Sequence, residues 1–171
     1  FNSDQETLDW ATAIIAGVSQ IYANHTNAEV QILSSTIWNT TDPYASLVYP
    51  NILSALQNYW NINNGSIIRD LVHLMTKRGD VGMGGVAYLG VLCNNNSGYA
   101  WSGHLGISDT IFAIPTYSWN LAVISHEMGH NVGSNHTHSS WSPEPTFTPP
   151  FPGGCIDDCG GGCSPPPPPP L

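Results

Sequence analysis

The sequence predicts an α/β (α+β) domain. Two observations carry that class. Apolar residues recur at three- and four-residue spacing in several segments, and short apolar or β-branched stretches fall between them. A third observation, a tight run of histidines and glycine at 126–136, falls on a predicted helix and gives the domain a purpose beyond packing. With 171 residues, 41% of them hydrophobic and six of them Trp, the chain can bury one sizeable core.

The elements follow in order. Over 7–22, Leu8, Ala11, Ile14, Ile15, Val18 and Ile21 mark an amphipathic helix that covers a sheet. Residues 28–40 alternate Val30, Ile32, Ser34, Thr36 and Trp38 with Gln31, Leu33, Ser35 and Ile37, which predicts a strand closed by Asp42-Pro43. A second helix is expected over 46–60, ending near the Asn64-Gly65 turn signal. The apolar stretch Leu71-Val72-His73-Leu74-Met75 within 69–76 predicts another strand, and strands joined by a helix imply a parallel pair. After a glycine-rich loop, 85–91 predicts a strand broken at Gly90, which suits a sheet edge. A strand is expected over 108–114, and Pro115 separates it from a helix over 118–132 capped by Thr116 or Ser118. Beyond His138 the composition shifts to Pro, Gly, Ser and Thr, with Pro at every position of 165–170. Hence 1–140 is expected to be the folded domain and 141–171 an irregular, proline-stiffened segment, an incomplete part of the same architecture.

Charge narrows the partners. Lys77, Arg69 and Arg78 stand against 12 carboxylates, for a net charge of −9, so nucleic acid and anionic membranes are poor partners, and no nucleic acid is expected. The acids are scattered and form no calcium-loop pattern. No apolar run reaches membrane-spanning length, and Phe1-Asn2-Ser3 does not begin an export signal, so such a signal is expected upstream. Cys93, Cys155, Cys159 and Cys163 lie among Asn, Gly, Ser and Asp, which favours disulfides and a secreted protein, and a monomer is expected. The rival is a second zinc held by Cys155, Cys159 and Cys163, although their spacing is not that of a CxxC knuckle.

The chemistry concentrates in His126-Glu127-Met128-Gly129-His130-Asn131-Val132-Gly133-Ser134-Asn135-His136. Residues four apart share a helix face, so His126 and His130 can offer ring nitrogens to one ion with Glu127 beside it. Gly133 can take the left-handed conformation that ends a helix, letting the chain return with His136 as third ligand. Three neutral imidazoles leave one catalytic Zn²⁺ with its full charge and one position for water. Glu127 is then the expected general base, and the expected reaction is peptide hydrolysis. A protein or peptide substrate would lie along Gly85, Val86, Ala87, Tyr88, Leu89 and Gly90 by strand addition. By composition alone the pattern would arise in roughly 1 of 40,000 such sequences, so incidental histidines do not explain it. His25, His73, His104 and His138 are expected to be structural or exposed, and Met128 to pack in the core.

These eleven residues resemble the extended zinc signature of the metzincins. The stretch from Leu74-Met75-Thr76 through Gly85-Val86-Ala87-Tyr88-Leu89-Gly90-Val91-Leu92-Cys93 is similar to the edge-strand region of the reprolysin, or adamalysin-like, branch. Ser134-Asn135-His136-Thr137-His138, Trp141 and Ile156-Asp157-Asp158-Cys159 look closer to bacterial members than to animal ones. The resemblance implies a twisted mixed sheet of about four to five strands with an edge strand over the active-site helix. It also implies zinc on His126, His130 and His136, with Glu127 as the base. Two features depart from the family pattern. Thr137 stands where animal members usually place Asp, and no methionine follows Met128 to form the family's Met-turn. The resemblance places a cysteine partner for Cys93 in that later region, and Cys159 with Cys163 is the preferred local bridge. Two other classes compete with a secreted zinc endopeptidase: an inactive zinc-binding adhesion module of the same fold, and a metal-dependent amidase. The intact Glu127 speaks against the first and an accessible edge strand against the second.

Overall fold

The computed structural model describes residues 3–106 and 118–136. Phe1–Gly133 makes one compact unit, built from three helices and a small sheet among the described residues. Of the separate unit Ser134–Leu171, the described part, 134–136, has no regular secondary structure. The expected strand at 108–114 and the cysteine-rich tail lie outside the described residues.

Helix α1 spans Asp4–Thr26, longer at both ends than its apolar periodicity predicts. Ser3 caps it by accepting from the Glu6 amide, Asp4 and Glu6 complement the positive end of the dipole, and Asn27 closes it in the left-handed conformation. Helix α2 is Asn51–Asn63, five residues later in its start than the 46 expected. The Asp42 carboxylate accepts from the Tyr44 amide at 2.7 Å, fixing a turn there, and Pro50 has no N–H to continue a helix from before it.

Strands β1 (Val72–Met75), β2 (Gly85–Ala87) and β3 (Tyr99–Ser102) form a sheet in the order β1-β3-β2. β3 is central, parallel to β1 from Val72↔Tyr99 to Met75↔Ser102 and antiparallel to β2 from Gly85↔Ser102 to Ala87↔Ala100. The described sheet thus has three strands where four to five are expected. Two differences from expectation matter. Residues 28–38 do not form a strand: the Val30 amide is taken by the Ser19 hydroxyl at 2.9 Å, and both alternating sets are largely exposed, Leu33 at 68%. Alternation without a ladder partner leaves an extended chain and no strand. Conversely β3, which no sequence pattern predicts, is wholly buried. No helix lies between β1 and β3, all of whose connecting residues are described, so the parallel pair is not the βαβ step expected; the crossover passes through β2.

Tyr99 and Trp101 share one face of β3 and enter the cluster of Ile52, Leu56 and Trp60 from α2. A second cluster joins Ile14, Ile15 and Val18 of α1 to Leu121, Ile124 and Met128 of helix α3 (Trp119–Asn131). The Tyr22 hydroxyl also donates to the Ser125 carbonyl at 2.9 Å, tying α1 to α3. The helix that carries the histidines is therefore clamped between α1 and the sheet.

Candidate active site

Helix α3 starts at Ser118, whose hydroxyl accepts from the Leu121 amide, so Ser118 and not Thr116 is the cap. Leu121, Val123, Ile124 and Met128 turn inward, and Met128 lies in the core as expected. The helix ends as Gly133 takes φ +104.

The free carbonyls of its last turn have partners from the loop after β2. The Gly90 amide donates to the His130 carbonyl at 2.9 Å, and those of Val91 and Leu92 donate to the Asn131 carbonyl at 2.8 and 3.1 Å. Asn131, fully buried, sends its side-chain amide to the carbonyls of Tyr88 and Tyr99 at 2.8 and 3.0 Å. Sequence reasoning missed this residue. The available signal was its place on an inward stripe with Asn120, Ile124 and Glu127, where a polar residue must find a partner.

One turn apart on α3, the Nε2 atoms of His126 and His130 lie 3.1 Å from each other, with rings at 81°. A nitrogen from each of His126, His130 and His136 lies within 4.8 Å of the other two, a grouping that could hold a metal ion. Tetrahedral zinc with bonds of about 2.0–2.1 Å sets its ligand nitrogens about 3.3 Å apart, so the His126/His130 pair fits that ion, and three imidazoles are a zinc donor set. His25, His73 and His104 belong to no such grouping among the described residues. His73 serves the sheet: its Nε2 is 2.9 Å from the Ser102 hydroxyl, and burial lowers its pKa to about 4. His138 lies outside the described residues.

Glu127 is 4% exposed, and its Oε2 has no hydrogen-bond partner among the described residues. Burial pushes its carboxyl up to about 7. A buried carboxyl on the same helical turn as a pair of imidazoles has no packing rationale and a direct chemical one.

The expected edge over 85–91 is shorter than predicted. Gly85, Val86 and Ala87 form the strand, and the Tyr88 amide still reaches the Tyr99 carbonyl at 3.1 Å. Leu89 is then half-exposed, and Gly90, at φ +66, turns toward α3, where its amide and that of Val91 are engaged by the helix. Gly90 is therefore part of the helix cap. Cys93 is exposed and has no disulfide among the described residues.

A mixed sheet carrying a clamped helix, with a histidine grouping fit for zinc and a buried carboxyl next to it, defines a metal-dependent hydrolase. The chain belongs to Metallo-peptidase family M12, whose reprolysin-type family model matches residues 1–165. No curated protein matches the chain. Family membership makes it a metalloprotease acting on protein or peptide substrates, with zinc as the implied metal.

Proposed function

We propose that the protein is a secreted zinc endopeptidase with His126, His130 and His136 as metal ligands and Glu127 as general base. When bound there, zinc would supply Lewis acidity toward a water molecule and the scissile carbonyl. Glu127 takes a proton from the attacking water as the water oxygen bonds to the carbonyl carbon. It passes that proton to the leaving nitrogen as the carbon–nitrogen bond breaks. The observation that carries this reading is Glu127 itself, buried, next to His126 in sequence on the helix of the histidine pair, with one carboxylate oxygen unengaged among the described residues.

The register of β2 supports a substrate path. Gly84 accepts from the Gly103 amide at 2.7 Å and Tyr88 donates to Tyr99, so by antiparallel alternation the polar groups of Gly85 and Ala87 point away from β3. An extended peptide would pair with those two residues, and cleavage within a chain follows because an open edge accepts segments running past both ends. The four cysteines favour action outside the cell.

Glu127→Ala should retain zinc at the wild-type level while cleavage of a denatured protein falls by about a thousandfold or more. Cleavage that persists in this variant would exclude Glu127 as the base. Chelation should abolish activity and zinc should restore it.

A further inference from the structure

Gly84 and Gly85 lie where β2 meets α3, and neither has a positive φ, unlike Gly82, Gly90 and Gly133. Their backbone would accept a side chain; the space would not. A Cβ on Gly84 would fall 2.8 and 2.9 Å from ring carbons of Trp119 and 3.8 Å from Val123. On Gly85 it would fall 2.6 Å from Glu127 Oε1, 2.7 Å from Glu127 Cγ and 2.7 Å from the Trp101 carbonyl oxygen. Trp119, Val123 and Glu127 are four residues apart and form one stripe along α3. That stripe rests on the two glycines, while Val86 and Tyr88 pack into the cluster on the α2 side. The seat is closed by a further chain of bonds: the Trp119 indole donates to the Gly103 carbonyl at 3.2 Å, and Gly103 donates to Gly84.

We infer that the Gly84-Gly85 pair is a seat for the active-site helix and that Gly85 is a positioning residue, its missing side chain setting where the Glu127 carboxylate rests. The inference builds on the reading of Glu127 as general base. The two glycines are not equivalent. Trp119 is 51% exposed and its ring can swing aside, whereas Gly85 faces a buried carboxylate and a backbone oxygen.

The test uses the full chain and a double-mutant cycle. Gly84→Ala should leave kcat within about threefold of wild type. Gly85→Ala should lower kcat by about tenfold or more with zinc content unchanged, because a small displacement of a reacting group costs rate. The melting temperature gives a reading independent of activity: Gly85→Ala should lower Tm less in a Glu127→Ala background than in wild type, because the contact it disturbs is gone. Failure of Gly85→Ala to fold, with folding restored by Glu127→Ala, would support the seat equally. Additive Tm shifts, kcat within about threefold for Gly85→Ala, or misfolding in both backgrounds would overturn it. If the wild type cleaves no peptide, the peptidase reading fails, while the Tm cycle still decides whether Gly85 seats Glu127.

Discussion

The two ends of α3 are held by different physics. Its first half is fixed by a hydroxyl cap and by apolar packing of Leu121, Val123 and Ile124 against α1. Its second half, which carries His126, Glu127 and His130, adds to the packing of Met128 a set of directional bonds: the amides of Gly90, Val91 and Leu92 on its carbonyls, and Asn131 on the carbonyls of Tyr88 and Tyr99. Packing is tolerant, since neighbours relax around a smaller side chain, but it sets position loosely. Hydrogen bonds made inside the protein set position closely and are costly to leave unmade. The proposed metal ligands and base sit where the positioning is tighter.

Substitutions that break one end and spare the other test this contrast. Asn131→Ala should have the largest effect, about 4 kcal/mol, since it removes two bonds, leaves a cavity and takes the amide partner from the part-buried Tyr88 carbonyl. It should also weaken zinc binding about tenfold or more by freeing the His130 turn, measured by competition with a chelator. Leu121→Ala should cost about 2–3 kcal/mol in denaturant unfolding through its cavity. Zinc affinity should be unchanged, and a loss of affinity as large as that of Asn131→Ala would erase the contrast.

A pH scan probes the sheet to which Asn131 is bonded. His73 has its pKa lowered to about 4 by burial, below the value near 6.5 of the unfolded chain. As pH falls, the unfolded state takes up the proton first. Stability from this group is therefore complete above about pH 6.5 and declines as pH falls toward 4. The decline should amount to at most about 3 kcal/mol and be absent in His73→Gln. Ser118→Ala should be mildest, about 1 kcal/mol in unfolding free energy, with unaltered peptidase activity.

The elements differ in how far they were legible. α1 and α3 are expected from local sequence over 7–22 and 118–132, and the structure fixes their starts at the caps Ser3 and Ser118. The stretch 28–38 and β3 show the opposite case. The first has the alternation of a strand and no ladder; the second, close after an Asn-rich turn, has little pattern and is the centre of the sheet. Strand identity depends on which segment lies alongside, and that information is nonlocal.

What the sequence determined by itself is the chemistry. His126, Glu127 and His130 are fixed on one helical turn by their spacing, and Gly133 ends that helix, because helix geometry is local and the same everywhere. Tertiary structure alone decided how those groups are held. Asn131 reaches strands more than thirty residues away in the chain, the loop at 90–92 closes the helix end, and Gly85 gives Glu127 its place. Each depends on a close approach of distant segments, which no local pattern of residues records.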